Sequence, residues 1–206
     1  MPLEIVHRAA PCRNVPVTFT LDGMNQLPAS PRILVIGTSS AGKTTLASSL
    51  SQILAIPRIE LDELFWSPAW QPKPSEEFLD LVRNAAAGPS WVADGNYSVV
   101  RSVLWPRANV IVWLNYSLPV VFWRGFVRAA RRTWNREVLW HGNQESFRRT
   151  FFSRDSILFW ILTTHGRRTS QFRQLQGDPQ YAGIRWLEFR KPSQTSKWLE
   201  SVRHAI

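Results

Sequence analysis

Three groups of residues in this chain have the types and spacing to do chemistry, and the first is the run Arg32-Ile-Leu-Val-Ile-Gly37-Thr38-Ser39-Ser40-Ala41-Gly42-Lys43-Thr44-Thr45. An apolar, β-branched stretch enters Gly37-x-x-x-x-Gly42-Lys43-Thr44 and a helical pattern follows, which is the strand, loop and helix order of a phosphate-binding P-loop. Gly37 and Gly42 let the backbone turn and approach an anion with no Cβ in the way. The amides from Ser39 to Thr45 can then point inward at a β-phosphate, on the positive end of a helix dipole. Lys43 would reach the β- and γ-oxygens, and the Thr44 hydroxyl would take a place on Mg²⁺. The expected cofactors are ATP and Mg²⁺. Their expected binding set is Gly37, Thr38, Ser39, Ser40, Ala41, Gly42, Lys43, Thr44 and Thr45.

The second group is a pair of aspartates that each close a short run read as a strand. Asp94 ends Trp91-Val-Ala-Asp94, where an acid can hold Mg²⁺ directly or through water, or can simply turn the chain with Gly95. Asp62 follows Arg58-Ile-Glu-Leu61 and could orient or deprotonate an acceptor hydroxyl, or cap the segment after it. The third group is arginine. Between Arg124 and Arg173 there are eleven (124, 128, 131, 132, 136, 148, 149, 154, 167, 168 and 173), no lysine and only three acids, Glu137, Glu145 and Asp155. Helical spacing puts Arg124, Arg128 and Arg131 or Arg132 on one side, where they could converge on a phosphoryl group in flight as part of a lid, or form a solvated face. Arg154, next to Asp155, either forms a local ion pair or faces the site. The expected catalytic set is Lys43, Asp62, Asp94, Arg124, Arg128 and Arg154, with Thr44 and Asp94 on the metal.

These residues need a scaffold of alternating strands and helices. From Lys43, the positions Leu46, Leu50, Ile53 and Leu54 share a helical face, and Pro57 stops that helix. A Trp- and Pro-rich loop (Trp66, Pro68, Trp70, Pro72, Pro74) leads to a helix capped by Ser75, with Phe78, Leu81, Val82 and Ala85 on its apolar side. Asn109-Val-Ile-Val-Trp-Leu114 is a continuous apolar run, as in a strand covered on both faces of a parallel sheet. Ser117 and Pro119 open a helix whose apolar stripe is Val120, Trp123, Val127, Ala130 and Trp134. A helical pattern resumes from Glu145 through about His165. Ile184 to Phe189 is a last strand, and Ser193 caps a closing helix containing Trp198, Leu199 and Val202. Such alternation predicts a parallel α/β sheet with ligands at the carboxyl ends of its strands. Trp66 or Trp70 could form a stacking wall or a hydrophobic substrate pocket, while Trp113, Trp123 and Trp160 read as core. His141 and His165 have no partner at metal-ligand spacing, which argues against structural zinc.

Composition narrows the class. The chain has 206 residues, 44% hydrophobic and 12% aromatic, which suits one folded domain. Residues 1–30 read as an extension and 31–206 as a P-loop domain with a lid region at about 124–155. One cysteine, Cys12, leaves no internal disulfide, and no apolar run nears the ~18 residues of a membrane span or forms a signal-peptide core. The expectation is a cytoplasmic protein with no membrane partner. Its net charge of +10, from 21 Arg and 4 Lys against 15 acids, attracts polyanions, either nucleotide phosphates or nucleic acid. No nucleic-acid-reading motif accompanies the charge.

Taken together, Gly37 to Thr44, Ile59-Glu-Leu-Asp-Glu-Leu-Phe-Trp66, Trp91-Val-Ala-Asp-Gly-Asn-Tyr97, Trp105-Pro-Arg-Ala108, Trp123-Arg124 and Gly142-Asn-Gln-Glu-Ser146 resemble the P-loop family of adenylate-kinase-like or DNA topology modulation proteins. The resemblance covers roughly residues 32 to 200. It implies a three-layer P-loop NTPase fold, a five-stranded parallel sheet of order 2-3-1-4-5 flanked by helices, with a short Arg-rich helical lid. It also implies Lys43 and Thr44 on ATP and magnesium, Asp62 and Asp94-Gly95 on the acceptor side, lid arginines from 124 to 154, and an adenine contact around Lys191 to Gln194. The expected function is an ATP- and Mg²⁺-dependent phosphotransferase on a small-molecule acceptor. The rival is a nucleic-acid-associated NTPase or ATP-gated binding protein.

Overall fold

The stretch from Arg32 forms the middle strand, β1 (Arg32–Gly37), of a parallel sheet in the computed structural model, which describes residues 27–135 and 157–205, side chains at 132–135 and 157 excepted. The other strands of this sheet are β2 (Arg58–Glu60), β5 (Trp91–Asp94), β6 (Val110–Leu114) and β7 (Arg185–Phe189). Two further short strands, β3 (Trp66–Ser67) and β4 (Gln71–Pro72), pair antiparallel as a separate hairpin. The large sheet runs β2-β5-β1-β6-β7. Counting its five strands alone in chain order, this is 2-3-1-4-5; the labels jump because the hairpin intervenes. That hairpin lies where the sequence reading places only a loop.

Register brings the strand ends level. Asp94 pairs with Val35 of β1 and Glu60 of β2, and Gly37 pairs with Leu114. Ile33 and Val35 face one side of the sheet and Leu34 and Ile36 the other, all essentially inaccessible, so β1 is apolar throughout because both faces are covered. Each such side chain contributes about 1.5–3 kcal/mol, against about 0–1 kcal/mol for an exposed ion pair such as Arg83 with Asp80, so apolar burial dominates the fold's stability.

The helices are α1 (Lys43–Leu54), α2 (Leu61–Phe65), α3 (Ser75–Ala85), α4 (Arg101–Leu104), α5 (Leu118–Asn135), α6 (Ile157–Gln176) and α7 (Pro192–His204). The side of the sheet holding Ile33 and Val35 is covered by Leu46, Ala47 and Leu50 of α1, Val121 of α5, Ile161 of α6 and Trp198 and Val202 of α7. The other side is covered by Phe78 and Val82 of α3, Leu104 of α4 and Phe172 of α6. At the β7 edge, Glu188 accepts from Asn115 Nδ2 at 2.8 Å, from Arg190 Nε at 3.0 Å and from both terminal nitrogens of Arg173. Burial alone would raise the Glu188 pKa, but the Asn115 amide and the Arg190 and Arg173 guanidiniums outweigh it and hold it below the usual carboxylate range. No helix among the described residues is long and apolar enough to cross a membrane.

Several local expectations are corrected. Ser75 is the first helical residue of α3, entered from Pro74 with no side-chain cap, and the helix buries Phe78 and Val82 while Ala85 is exposed. The closing helix starts at Pro192, one residue before Ser193; the Gln194 side chain reaches back to accept from the amides of Arg190 and Lys191. α6 runs on to Gln176, well past His165. On α5 the expected stripe is not the buried one: Trp123 is 65% exposed and Val127 46%, while Val121, Gly125 and Ala129 face the interior. Trp160, on α6, is 44% exposed, so of the three tryptophans read as core only Trp113 is. The reason is Gly125, where a Cβ would lie 2.8 Å from Ile161 Cδ1: small residues allow α5 to lie close on α6, and the bulky ones turn outward. The expected helix start at Glu145, the motif from Gly142 to Ser146, His141, Arg136, Arg148, Arg149, Arg154 and Cys12 lie outside the described residues, as do the side chains of Arg132 and Trp134.

Candidate functional site

A cleft of about 650 Å³ opens at the carboxyl ends of β1, β2 and β6, floored by the loop between β1 and α1. Gly37 enters that loop with φ 149°, and a Cβ there would lie 2.7 Å from Leu114 O, so only glycine passes between β6 and the loop. The Asn96 side chain brackets the same residue: its Oδ1 accepts from Gly37 N at 3.3 Å and its Nδ2 donates to Gly37 O. Ala41 N donates to Thr38 O at 3.1 Å, closing the turn, and Gly42 caps α1 in the left-handed region at φ 97°. Residues Ser39 to Thr45 line the cleft; Gly37 and Thr38 lie beneath it and hold its shape.

Lys43 Nζ donates to Thr38 O at 3.2 Å, back across its own loop. Burial pushes this ammonium down to about 8; the charges of Asp62 and Asp94 oppose that shift, and those of Arg128 and Arg168 add to it. Thr44 Oγ1 donates to Asp94 Oδ2 at 2.7 Å, uniting the two residues expected to share a metal. Asp94 is 3% exposed, and burial raises its pKa against the Thr44 hydrogen bond and the charges of Arg58 and Lys43. Its Oδ1 accepts no hydrogen bond and lies 3.6 Å from Arg58 Nε.

Hard oxygens from one hydroxyl and one buried carboxylate, with an orphaned Oδ1 alongside, fit a Mg²⁺ ion that takes its remaining ligands from phosphate and water. Among the described residues no group of three or more His, Cys, Asp or Glu side chains gathers to hold a metal by itself.

Asp62 sits in the first turn of α2, directly after β2, and its Oδ1 accepts from the Tyr97 hydroxyl at 2.7 Å. Burial and the Asp62 charge push the Tyr97 phenol up, so it stays protonated as the donor. Gly95, at φ 144°, makes this approach possible, since a Cβ there would sit 2.8 Å from Leu61 Cβ. From the opposite wall, Arg124 Nη1 donates to Ala41 O at 3.0 Å and its guanidinium lies 5.4 Å above the Tyr116 ring. Tyr116 shares a 2.6 Å hydrogen bond with Thr195, and its carbonyl meets His165 Nε2 at 2.9 Å. Arg128 and Arg131 join Arg124 along the cleft, so three of the four spaced arginines line it together.

Sequence reasoning gave no role to Asn96, Tyr97, Tyr116 or Arg168. The first two lie inside the quoted Asp94-to-Tyr97 segment and were within reach; Tyr116 lines the cleft two residues past the end of β6, and Arg168 reaches the site from α6 through packing. Trp70 lines the cleft and Trp66 stands behind it, edge to face at 5.7 Å.

The chain has a three-layer P-loop α/β fold. The sheet order, the loop between its central strand and α1, and the helices on both faces define it. No protein-family model matches the chain, and no curated protein does. Among solved structures it is similar to a shikimate kinase from Bacteroides thetaiotaomicron, at 18% identity, covering 85% of this chain and 97% of that one with a TM-score of 0.46. It is also similar to a gluconokinase from Sinorhizobium meliloti 1021, at 15% identity, covering 85% and 90% with a TM-score of 0.48. Neither likeness bears on what this chain acts on.

Proposed function

We propose that this chain transfers the γ-phosphoryl group of ATP to a hydroxyl of a small molecule. The observation that carries the reading is the convergence of Lys43, Thr44, Asp62 and the α5 arginines on one cleft at the strand ends, with Asp94 bonded to Thr44 and Tyr97 to Asp62 from behind its lining. Lys43 and the loop amides hold the triphosphate. Thr44 and Asp94 would hold Mg²⁺, which would supply charge neutralisation to the transferring phosphate. Asp62, fixed by Tyr97, orients the acceptor hydroxyl and receives its proton late, because a loose phosphoryl transition state needs positioning more than basicity. Arg124, Arg128 and Arg131 face charge that spreads over three equatorial oxygens. We place Arg154 with them as a lid residue on the family resemblance, and the adenylate-kinase-like or DNA topology modulation family with the cytoplasm as its setting.

The rival, nucleic-acid-associated reading rests on net charge, whereas the described α5 arginines at 124, 128 and 131 line the cleft. ADP release from Mg-ATP, measured with and without candidate acceptors, tests the proposal. One acceptor class should stimulate turnover, and Lys43→Ala should lower it by about 100-fold or more. Normal ATP affinity and turnover in Lys43→Ala would sink the assignment.

A further inference from the structure

The two walls of the cleft differ in charge. Its basic side chains, Lys43, Arg124, Arg128 and Arg131, come from α1 and α5. The wall built by residues 58–72 contributes Glu60, Asp62 and Trp70, with no base among them. Among the described residues, the cations on this side are engaged: Arg58 pairs with Glu60 and Asp94, Lys73 donates to Ser67 Oγ at 3.1 Å and lies 3.5 Å from Glu77, and the Arg101 guanidinium lies 5.3 Å from the Trp105 ring. An acceptor bearing a phosphate or carboxylate and laid on this wall would set that anion against the Asp62 carboxylate, with Glu60 already offset by its pair with Arg58.

Trp70 is held by a strained turn and by ring packing. Ala69 and Trp70 sit at φ 58° and 57°, a left-handed pair without glycine, at the tip of the β3–β4 hairpin. Strain of that kind persists where the surroundings over-determine it, and it gathers at ligand sites. A line of ring contacts runs from Trp70 to Trp66, to Phe65 at 4.8 Å, to Tyr97 at 4.6 Å, and so to Asp62 through the Tyr97 hydroxyl. The indole and the carboxylate are thereby fixed relative to one another, an arrangement that binds a rigid ligand at low entropic cost. An indole receives the apolar face of a ring, and carboxylates receive its hydroxyls.

We propose that the acceptor is a hydroxylated ring without an acidic group, of sugar or nucleoside type, laid against Trp70 with one hydroxyl directed at Asp62. This deepens the phosphotransferase reading and rests on it. In the step, the acceptor oxygen bonds to the γ-phosphorus, the bond from that phosphorus to the β,γ-bridging oxygen breaks, and ADP leaves with the electron pair. The hydroxyl proton passes to Asp62 Oδ2 and then to solvent.

The test is ADP release by the full chain from Mg-ATP with glucose, glucosamine and adenosine in one arm, and gluconate, shikimate and AMP in the other. Stimulation should be confined to the first arm, with the sugars and the nucleoside telling the two ring types apart. For the stimulating acceptor, Trp70→Ala should raise KM by about tenfold or more with KM for ATP unchanged, and Trp70→Phe should recover most of it. Stimulation by the acidic arm alone overturns this inference and leaves the phosphotransferase standing. A flat response in both arms removes both. A Trp70→Ala variant that shifts KM for ATP as much as KM for the acceptor also overturns it.

Discussion

Raising the pH from about 7 to about 9 should weaken Mg-ADP binding by about tenfold, through Lys43 alone. Its ammonium is pushed down to about 8 in the ligand-free protein by burial, with the Asp62 and Asp94 charges only partly restoring it. Near pH 7 about nine molecules in ten carry the charge, and near pH 9 about one in ten. A bound diphosphate adds opposite charge beside Nζ and moves the pKa back toward its ordinary 10.5, so the complex stays protonated across the window. The sign follows from linkage: the bound form holds more protons than the free form above about pH 8, so affinity falls as pH rises and binding takes up close to one proton near pH 9. Titration calorimetry in buffers of different ionisation heat reads both quantities. In the ligand-free protein the folded state holds fewer protons than the unfolded chain between about pH 8 and 10.5, so stability rises with pH there. A Lys43→Met variant should bind more weakly with no slope over the window. A flat wild-type profile, or a slope that survives in Lys43→Met, refutes the reasoning.

Asn96→Ala removes both side-chain hydrogen bonds to Gly37 and should cost about 1–3 kcal/mol in urea unfolding; no measurable change would mean that β1 alone holds the loop entry. Trp123→Ser should change stability by no more than about 0.5 kcal/mol, because that indole is largely in solvent beside Phe126, whereas Trp113→Ala should cost about 3–5 kcal/mol. Equal losses at the two positions would put Trp123 back in the core.

The parts of this molecule legible in its sequence are those where one segment carries its own context. The β1–loop–α1 unit is contiguous, and its glycines, lysine and threonine announce a phosphate cradle before any packing is known. Asp94 could be placed at a strand end because it closes an apolar run, whereas Asp62, read the same way, falls in the first turn of α2, since β2 stops at Glu60. What pairs them is another matter: Thr44 meets Asp94 across 50 residues and Tyr97 meets Asp62 across 35. Such partners are chosen by sheet order, which local periodicity does not encode. α5 misled for a different reason. Its apolar residues admit two stripes, one through Val120, Trp123 and Val127 and one through Val121, Gly125 and Ala129, and hydrophobicity favours the bulky stripe while close helix packing favours the small one. The β3–β4 hairpin was hidden by its prolines and its brevity, since two-residue strands have no alternation to detect.

Arg124 and Gly125 are neighbours in sequence, and both touch the phosphate loop: the arginine holds Ala41 O, and a Cβ on the glycine would lie 3.1 Å from Ser40 Oγ. One residue along a helix is a rotation of about 100°. A single insertion or deletion between Leu118 and Arg124 would therefore swing the guanidinium off the loop and bring a bulkier neighbour onto the seam with α6 in the same stroke. The length of that first stretch of α5 is thus under tighter constraint than its individual apolar side chains. Related chains that keep this site should vary there by substitution and place their length changes elsewhere.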